Sequence, residues 1–303
     1  MRIPRPRARF PIGAPTWPTG VPRPPVVRDT GVNYDTSWAR SYPARLARAL
    51  WLDGVTRPIV HGLAAPDVGG LDRLEALPSP AIFAANHSSH IDTPLVLTSL
   101  PERFRHRTAV AAGADYFFDK RWKGGLWALT INAIPIERTK VSPQSTKLAV
   151  KLIRDGWSLV IFPEGGRSPD GWGQSHRAGA AYLAVRTGVP VVPVHLRGTR
   201  RILKKGGKGV RPAQTEVTFG RPLRAGEGES AQDLAARIER AIAVLADERG
   251  AGYWESRRRA AGGRTPSLTG PDATSWRRAW ALAENRRGTR RAKPWPPGSA
   301  PRR

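Results

Sequence analysis

Residues that could move a proton lie close together in the first third of the chain. His87 precedes Asp92 in the string Asn-His-Ser-Ser-His-Ile-Asp, which spans residues 86–92. A neutral imidazole can remove the proton of a hydroxyl group near pH 7 while the oxygen attacks a thioester, and a carboxylate on the other ring nitrogen would stabilise the resulting imidazolium. The spacing therefore predicts that His87 is a general base oriented by Asp92. The same pair could instead only cap a helix.

A second segment could bind an anion. The string Phe-Pro-Glu-Gly-Gly-Arg-Ser spans residues 162–168 and begins at the end of the clearest candidate for a buried strand. Adjacent glycines, Gly165 and Gly166, let backbone amides approach an anion, and the guanidinium of Arg167 matches phosphate oxygens. Glu164 would orient Arg167 or accept hydrogen bonds from hydroxyl groups. The alternative for this segment is an ordinary turn.

One more arginine could contribute to the same anion site. Arg138 follows the apolar run at 134–136, so it would add positive charge at the end of a neighbouring strand. Its alternative is an exposed arginine in a chain that contains many.

Metal binding is an alternative for the first string. His87, His90 and Asp92 are potential metal ligands at short spacing. Three further histidines could complete a hydrolytic metal site: His106, His176 and His195. No second cluster of histidines or carboxylates stands out in the sequence, so we favour the general base, and His90 then has no assigned role.

The elements that must position these residues alternate along the chain. Short apolar runs predict buried strands at 81–85, 108–112, 133–136, 158–162 and 189–194. Helical spacing predicts helices that begin near Thr93 and at 145–155, 178–186 and 230–248. The alternation predicts an α/β fold with a mostly parallel sheet flanked by helices, whose strand ends hold both strings. The prolines of 189–194 suggest a strand near an edge of the sheet.

Composition divides the chain further. Residues 1–37 are rich in Pro and Arg and predict a disordered basic arm, whereas 38–54 predict an amphipathic helix that ends at Gly54 and lies on the core or on a membrane. We expect a single core domain over 55–250. Residues 251–303 form a basic extension rich in Trp and Arg, including Trp276 and Trp280.

Charge and cysteine content restrict the partners and the compartment. The formal net charge is +26, which predicts an anionic partner such as a membrane surface or nucleic acid. The chain contains no cysteine, which favours a reducing compartment. No run reaches the about 18 apolar residues of a spanning helix, so we expect membrane contact to be peripheral or monotopic.

Four segments, taken in order, resemble the motifs of the glycerolipid acyltransferases, which include the 1-acyl-sn-glycerol-3-phosphate acyltransferases. Residues 86–92 resemble the His-x4-Asp motif, and Ile-Pro-Ile-Glu-Arg at 134–138 resembles the second motif. Residues 162–168 resemble the third motif, and Val-Val-Pro-Val at 191–194 resembles the fourth. The resemblance covers roughly residues 55–250 and implies the same α/β fold.

The resemblance also implies roles for these residues. His87 would be the general base and Asp92 its orienting partner, with Asn86, Ser88 and Pro193 in support. The phosphate of the acceptor would be bound by Arg138, Glu164, Gly165, Gly166 and Arg167. Gly166 stands where the family usually has Thr, so a hydroxyl group is missing there.

The resemblance implies an enzyme of phospholipid biosynthesis. Acyl-CoA or acyl-carrier protein would be the acyl donor, and lysophosphatidic acid or a related phosphate-bearing lysophospholipid would be the acceptor, without a metal or other cofactor. Such an enzyme would lie at the cytoplasmic face of an anionic membrane. A basic nucleic-acid-binding protein is the alternative that the charge leaves open, but it would not explain the four motifs.

Overall fold

The protein folds around a twisted β-sheet. A computed structural model describes residues 31–137, 143–207 and 209–270. The strands of this part of the chain are β1 (Pro66–Gly69), β2 (Ile82–Ala85), β3 (Thr108–Gly113), β4 (Ala133–Ile136), β5 (Ser158–Ile161), β6 (Val191–Arg197) and β7 (Thr215–Phe219).

The strands form one sheet of order β1-β7-β6-β2-β5-β3-β4. Neighbouring strands are parallel except β6 and β7, which are antiparallel. The carboxyl ends of β2, β5 and β6 therefore lie side by side at one edge, and this mostly parallel sheet confirms the predicted fold class.

Helices cover both faces of the sheet. Those that precede β5 are α1 (Tyr42–Trp51), α2 (Arg57–Ala64), α3 (Asp72–Glu75), α4 (Asp92–Ser99), α5 (Glu102–Arg105), α6 (Ala114–Phe117), α7 (Arg121–Ile131) and α8 (Pro143–Arg154). Those that follow are α9 (Gly179–Thr187), α10 (Thr199–Ile202), α11 (Ala231–Ala251) and α12 (Tyr253–Ala261). A short 3-10 helix, Ser37–Arg40, precedes α1.

Two buried clusters make up the core, one on each face. Side chains of β2 alternate between them, because successive residues of a strand point to opposite faces. Phe83 joins the cluster under α2 and α4, whereas Ile82 joins the cluster under α8, α9 and α11. The described helices include none that is long and apolar enough to cross a membrane.

The amino-terminal helix does not end at Gly54, contrary to the sequence prediction. It continues through a π-helical turn, Leu52–Thr56, directly into α2. Pro58 explains the turn, because proline has no N–H to donate to the carbonyl of Gly54 and its ring would clash there in an α-helix. The widened turn lets the chain pass Pro58 without leaving the helix.

The expectation that residues 189–194 lie near a sheet edge is wrong. β6 lies inside the sheet, between β2 and β7. The carbonyl of Pro193 accepts a hydrogen bond from the backbone N–H of Gly220, so the missing proline N–H also faces the β7 side. The parallel ladder to β2 therefore loses nothing to this proline.

The carboxyl-terminal helices are packed onto the domain. Ser230 caps α11 as the sequence predicts, accepting a hydrogen bond from the backbone N–H of Asp233. α12 follows immediately, with Ser256 buried and Arg259 paired to Asp247 at 3.0 Å. Part of the basic segment that begins at residue 251 is thus helical and packed against α11, while Trp276 and Trp280 lie outside the described residues.

Candidate active site

The two strings singled out in the sequence meet at the carboxyl edge of the sheet. One follows β2 and the other follows β5, its neighbour in the sheet. The backbone N–H of Ser168 donates to the carbonyl of His87 at 2.8 Å, which joins the two loops directly. The structure thus brings together two segments that are far apart in sequence.

His87 and Asp92 form a hydrogen-bonded pair. The Nδ1 atom of His87 lies 2.8 Å from Oδ2 of Asp92, and the Asp92 side chain is fully buried. The same Oδ2 accepts hydrogen bonds from the backbone N–H groups of Ser88 at 2.6 Å and Ser89 at 2.8 Å. A carboxylate only accepts, so Nδ1 carries the ring hydrogen and Nε2 is the basic atom. The helix-cap alternative is not observed, because the N-cap of α4 is Ile91 without a side-chain cap, and the Asp92 carboxylate bonds Ser88 and Ser89, which precede the helix.

The imidazole of His87 is held from a second direction. It stacks on the ring of Phe162 at a centroid distance of 4.1 Å and an interplanar angle of 22°. Its side chain is 16% exposed, so the ring remains accessible at the sheet edge. The sequence did not indicate Phe162 as a site residue, although its place at the end of β5 is a signal that could have done so.

Glu164 is buried and braces the two loops. Its Oε1 accepts a hydrogen bond from the backbone N–H of His87 at 2.8 Å, and its Oε2 accepts one from the backbone N–H of Gln174 at 3.0 Å. Burial raises the pKa of Glu164 to about 7, against the opposing effect of these two hydrogen bonds. Both oxygens therefore face backbone amides, which gives Glu164 a positioning geometry; contact with the acceptor stays a prediction.

The glycines of this loop have different surroundings. Gly165 has φ +71°, and a Cβ atom there would lie 2.9 Å from Nε of Arg177, so the turn requires glycine. A Cβ atom on Gly166 would meet no atom within 4 Å, so the space of a larger side chain is open there. The carbonyl of Gly166 accepts a hydrogen bond from the Gln174 side chain at 3.1 Å.

Arg167 and His90 lie on the same side of the site. Burial lowers the pKa of His90 to about 4, and the charge of Arg167 acts in the same direction. His90 stacks on Tyr116 at a centroid distance of 5.7 Å, with its Nε2 3.4 Å from the tyrosine hydroxyl. His90 is thus a neutral, polar neighbour of the predicted anion site, and Tyr116 is a residue that the sequence did not indicate.

The supporting residues fix the end of β2. The Asn86 side chain donates to the carbonyl of Leu196 at 2.9 Å and accepts from the N–H of Leu196 at 2.7 Å, so it fastens the His87 loop to β6. Pro193 lies further back in β6, opposite Ala84. Arg138 lies outside the described residues.

The described residues contain no cluster of side chains that could bind a metal ion. Among residues 31–137, 143–207 and 209–270, no group of three or more His, Asp or Glu side chains is arranged to hold a metal ion. His106, which directly follows α5, pairs at 3.1 Å with Asp53 of the π-helical turn. The histidines proposed as extra ligands therefore do not converge with His87 and Asp92 in this part of the chain.

Comparisons with known proteins find similarity to acyltransferases. Residues 67–197 match the family model described as Acyltransferase. The chain is 31% identical over 156 residues to a chloroplastic 1-acyl-sn-glycerol-3-phosphate acyltransferase of Brassica napus, an alignment that covers 48% of this chain and 40% of the relative. It is 26% identical over 155 residues to the 1-acyl-sn-glycerol-3-phosphate acyltransferase of Bacillus subtilis, covering 49% and 70%.

A solved structure has the same fold. The crystal structure of the 1-acyl-sn-glycerophosphate (LPA) acyltransferase PlsC from Thermotoga maritima superposes with a TM-score of 0.53 at 24% identity, covering 73% of this chain and 86% of that chain. By contrast, the chain spans 40% and 39% of the lengths of its chloroplastic relatives from Brassica napus and Arabidopsis thaliana.

Fold and site together define an α/β protein with a histidine–carboxylate pair at the carboxyl edge of a mostly parallel sheet. Its matched segment, residues 67–197, is an acyltransferase domain. The matched segment and these relatives support the glycerolipid acyltransferase family, whose motifs the sequence resembles.

Proposed function

We propose that this protein transfers a fatty acyl group from a thioester to a free hydroxyl of lysophosphatidic acid or a related lysophospholipid. The observation that carries the proposal is the pair of His87 and Asp92, joined at 2.8 Å beside the loop at 162–168. The relatives in Brassica napus and Bacillus subtilis, which are named 1-acyl-sn-glycerol-3-phosphate acyltransferases, support the same reaction.

The proposed chemistry follows from the hydrogen bonds of His87. Nδ1 donates to Asp92, so Nε2 accepts the proton while the hydroxyl oxygen attacks the thioester carbonyl carbon. The buried carboxylate stabilises the imidazolium that forms. When the carbon–sulfur bond breaks, the leaving thiolate takes the proton from Nε2, which restores the neutral ring. Proton transfer of this kind needs no metal and no redox cofactor, and we propose that none is used.

We propose that the acceptor's phosphate lies against the glycine turn and Arg167. Open space adjoins Gly166, and Arg167 supplies a permanent positive charge that acts on the neighbouring His90. We also propose that Arg138 binds this phosphate, as the resemblance to the acyltransferase motifs implies. Glu164 holds the loop against the backbone of His87, so the anion site and the base are coupled mechanically.

Activity of the purified protein tests the reaction. We expect His87→Ala to lower the rate of transfer from acyl-CoA to lysophosphatidic acid by about 10²–10⁴-fold, as loss of a general base does. The control is His61→Ala, because His61 is exposed on α2 and away from the site. Mass spectrometry of the products identifies the acylated lipid. Wild-type turnover by the His87→Ala variant would contradict the mechanism.

The alternatives are separated by two further measurements. Transfer that persists after dialysis against EDTA supports a reaction without a metal, whereas loss of activity that Zn²⁺ restores would favour the metal-dependent hydrolase. A nucleic-acid-binding protein would retard DNA in moderate salt and leave thioesters intact, and this outcome would replace the acyltransferase proposal.

We also propose that the amino-terminal helices rest on a membrane surface. If α1 docked on the core through its apolar face, Leu46, Leu50 and Trp51 would be buried, but all three side chains are exposed, at 51%, 68% and 45%. The side of α1 that faces the protein holds Ala44 and Arg48 instead. Core docking through these apolar side chains is therefore wrong, which favours the membrane alternative.

The exposed apolar side chains continue along the helix. They define a stripe that we call the apolar stripe: Tyr42, Leu46, Leu50, Val55 and Ile59. Trp122 and Leu126 of α7, which packs beside α1, are also exposed. A row of apolar side chains on a strongly basic protein is typical of helices that bind anionic lipid in the plane of the interface. With no cysteine in the chain, we place this surface at the cytoplasmic face of the membrane.

Vesicle binding tests the membrane proposal. We expect the double change Leu46→Gln and Leu50→Gln to weaken binding to phosphatidylglycerol vesicles by about tenfold or more, because each buried leucine contributes about 1.5–3 kcal/mol. Val185→Gln is the control, since Val185 is exposed on α9. Binding that is strong to neutral vesicles in high salt and insensitive to the double change would refute the apolar stripe as the contact.

A further inference from the structure

A large cavity adjoins the site on the α11 side of the sheet. Its volume is about 1100 Å³, slightly above the ~300–1,000 Å³ typical of ligand pockets. Ser88 and Glu164 belong to its wall, so the cavity begins beside His87. From there it extends along the end of β6 and along α11.

Positive charge dominates the walls of this cavity. Four arginines line it: Arg197, Arg200, Arg237 and Arg240. The two carboxylates in the lining already accept hydrogen bonds from backbone N–H groups, Glu164 from His87 and Gln174, and Glu239 from His176 at 3.0 Å. Arg197 pairs with Glu216 at 3.5 Å and Arg237 pairs with Glu229 at 2.5 Å, both outside the lining. Arg200 and Arg240 donate to backbone carbonyls, so their charges have no carboxylate partner among the described residues and would attract phosphate.

Two histidines in the cavity wall have a ring nitrogen without a hydrogen-bond partner among the described residues. His195 and His176 both line the cavity, and the Nδ1 atom of each is buried without a hydrogen-bond partner among the described residues. Burial, with Arg197 and Arg249 nearby, lowers the pKa of His195 to about 4, so its ring is neutral at pH 7. Buried polar atoms of this kind are normally hydrogen-bonded, so they indicate a polar ligand or water.

A segment that follows α12 lies along the cavity. Residues 265–269 line the cavity, and the carbonyl of Leu268 accepts a hydrogen bond from the backbone N–H of Gly173 at 2.8 Å. Leu268 also packs against the core cluster under α8, α9 and α11. The segment thus contributes one wall of the cavity.

We propose that this cavity binds the phosphopantetheine arm of the acyl donor. The inference rests on the proposed acyl transfer and assigns the acyl donor to the cavity beside α11. The arm carries amide groups, which neutral histidines can hydrogen-bond, and an anionic phosphate, which the arginines can bind. Its thioester end would reach His87 past Ser88, while the acceptor's phosphate occupies the turn at 165–167. Acyl-CoA and acyl-carrier protein both present this arm.

Direct binding tests the assignment without relying on activity. Calorimetric titration with CoA and with 4′-phosphopantetheine uses the full chain and the double variant Arg237→Gln and Arg240→Gln. We expect the double variant to raise both dissociation constants by about tenfold or more, since two charge-assisted contacts are lost. The double variant Arg154→Gln and Arg186→Gln is the control, because it removes the same charge from exposed sites on α8 and α9. Equal binding by both double variants would overturn the assignment.

A substitution that fills part of the cavity provides a second test of the proposal. Ala243 lines the cavity from α11, and Ala243→Phe would occupy space without touching His87, Asp92 or Glu164. We expect a rise in the KM for the donor and an unchanged KM for lysophosphatidic acid. A rise confined to the KM for the acceptor would overturn the proposal and assign the cavity to the acceptor.

The two proposals fail in different ways. A wild-type protein that binds CoA in this cavity but transfers no acyl group from any donor would contradict the acyl-transfer proposal alone. If the wild-type protein transfers acyl groups and neither cavity change alters the KM for the donor, only the assignment of the cavity to the donor is contradicted. Transfer from acyl-carrier protein and not from acyl-CoA would identify the carrier protein as the source of the arm, with the same dependence on Arg237 and Arg240 expected.

Discussion

Replacing Glu164 by Gln should change how the stability of the protein depends on pH. Burial raises the pKa of Glu164 to about 7 from its ordinary value of 4.5. Between these values the folded protein holds a proton that the unfolded chain has lost. Ionisation of the buried carboxyl group therefore lowers the stability of the folded protein. This loss of stability grows as the pH rises from 4.5 to 7.

The size of the effect follows from the same two pKa values. One proton taken up by the folded state corresponds to a slope of about 1.4 kcal/mol per pH unit, which amounts to about 3 kcal/mol across the window. The glutamine side chain cannot ionise, so the free energy of unfolding of wild type minus that of Glu164→Gln should fall by about this amount. Half-buried His90 and buried His195, whose pKa values are lowered, act in the opposite direction in both proteins and cancel in the difference.

Urea unfolding at several pH values between about 4.5 and 7.5 measures this difference. Glu227→Gln is the control, because it removes one carboxyl group from an exposed turn before α11. A difference between wild type and Glu164→Gln that stays constant with pH would refute the reasoning. It would mean that the hydrogen bonds from His87 and Gln174 outweigh burial and that Glu164 ionises in the ordinary range.

Three other substitutions test the supports of His87. Asp92→Asn should lower kcat by about 10²–10⁴-fold with little change in the circular dichroism spectrum, because an amide of similar shape cannot stabilise the imidazolium; near-normal kcat would contradict the orienting role. Asn86→Ala should lower the free energy of unfolding by about 2–4 kcal/mol in urea titrations, since the N–H and carbonyl of Leu196 lose their partners. Gly165→Ala should lower it by about 1–2 kcal/mol because φ is +71°, and Gly166→Ala, where the space is open, is its control; equal losses would argue against strain at the turn.

Much of the architecture follows from local sequence patterns. The buried strands β2 and β5 are short apolar runs between turn residues, and their burial on both faces of the sheet explains that pattern. Ser230 and the helix after it also follow from capping chemistry and helical spacing. These features depend on residues close together in the chain.

The features that the sequence did not indicate depend on distant contacts. Gly124 and Gly125 gave no indication of a helix, yet both lie within α7, where a Cβ atom on Gly124 would come within 2.8 Å of the Phe118 ring. Glycine allows a close approach here and does not end the helix. Strands β1 and β7 were not predicted either, and they pair with each other across about 150 positions.

The candidate site also combines features that depend on nearby residues with features that depend on distant contacts. The pairing of His87 with Asp92 follows from their spacing, which lets the carboxylate at the start of α4 reach back to the ring. The bond from Glu164 to the His87 backbone and the stacking of Phe162 depend on which strands are neighbours in the sheet. Sheet order is set by the whole domain, so a pattern of nearby residues could not supply it.

The π-helical turn at Leu52–Thr56 has a consequence for the helix that contains it. In an α-helix, side chains four residues apart share a face, and the apolar stripe follows that step from Tyr42 to Leu50 and again from Val55 to Ile59. Between Leu50 and Val55 the step is five, and the wider turn absorbs the additional residue. Deleting that residue would rotate the second half of the stripe by about 100°. One inserted residue thus keeps two helical segments in phase, so that a single continuous face can meet a flat surface.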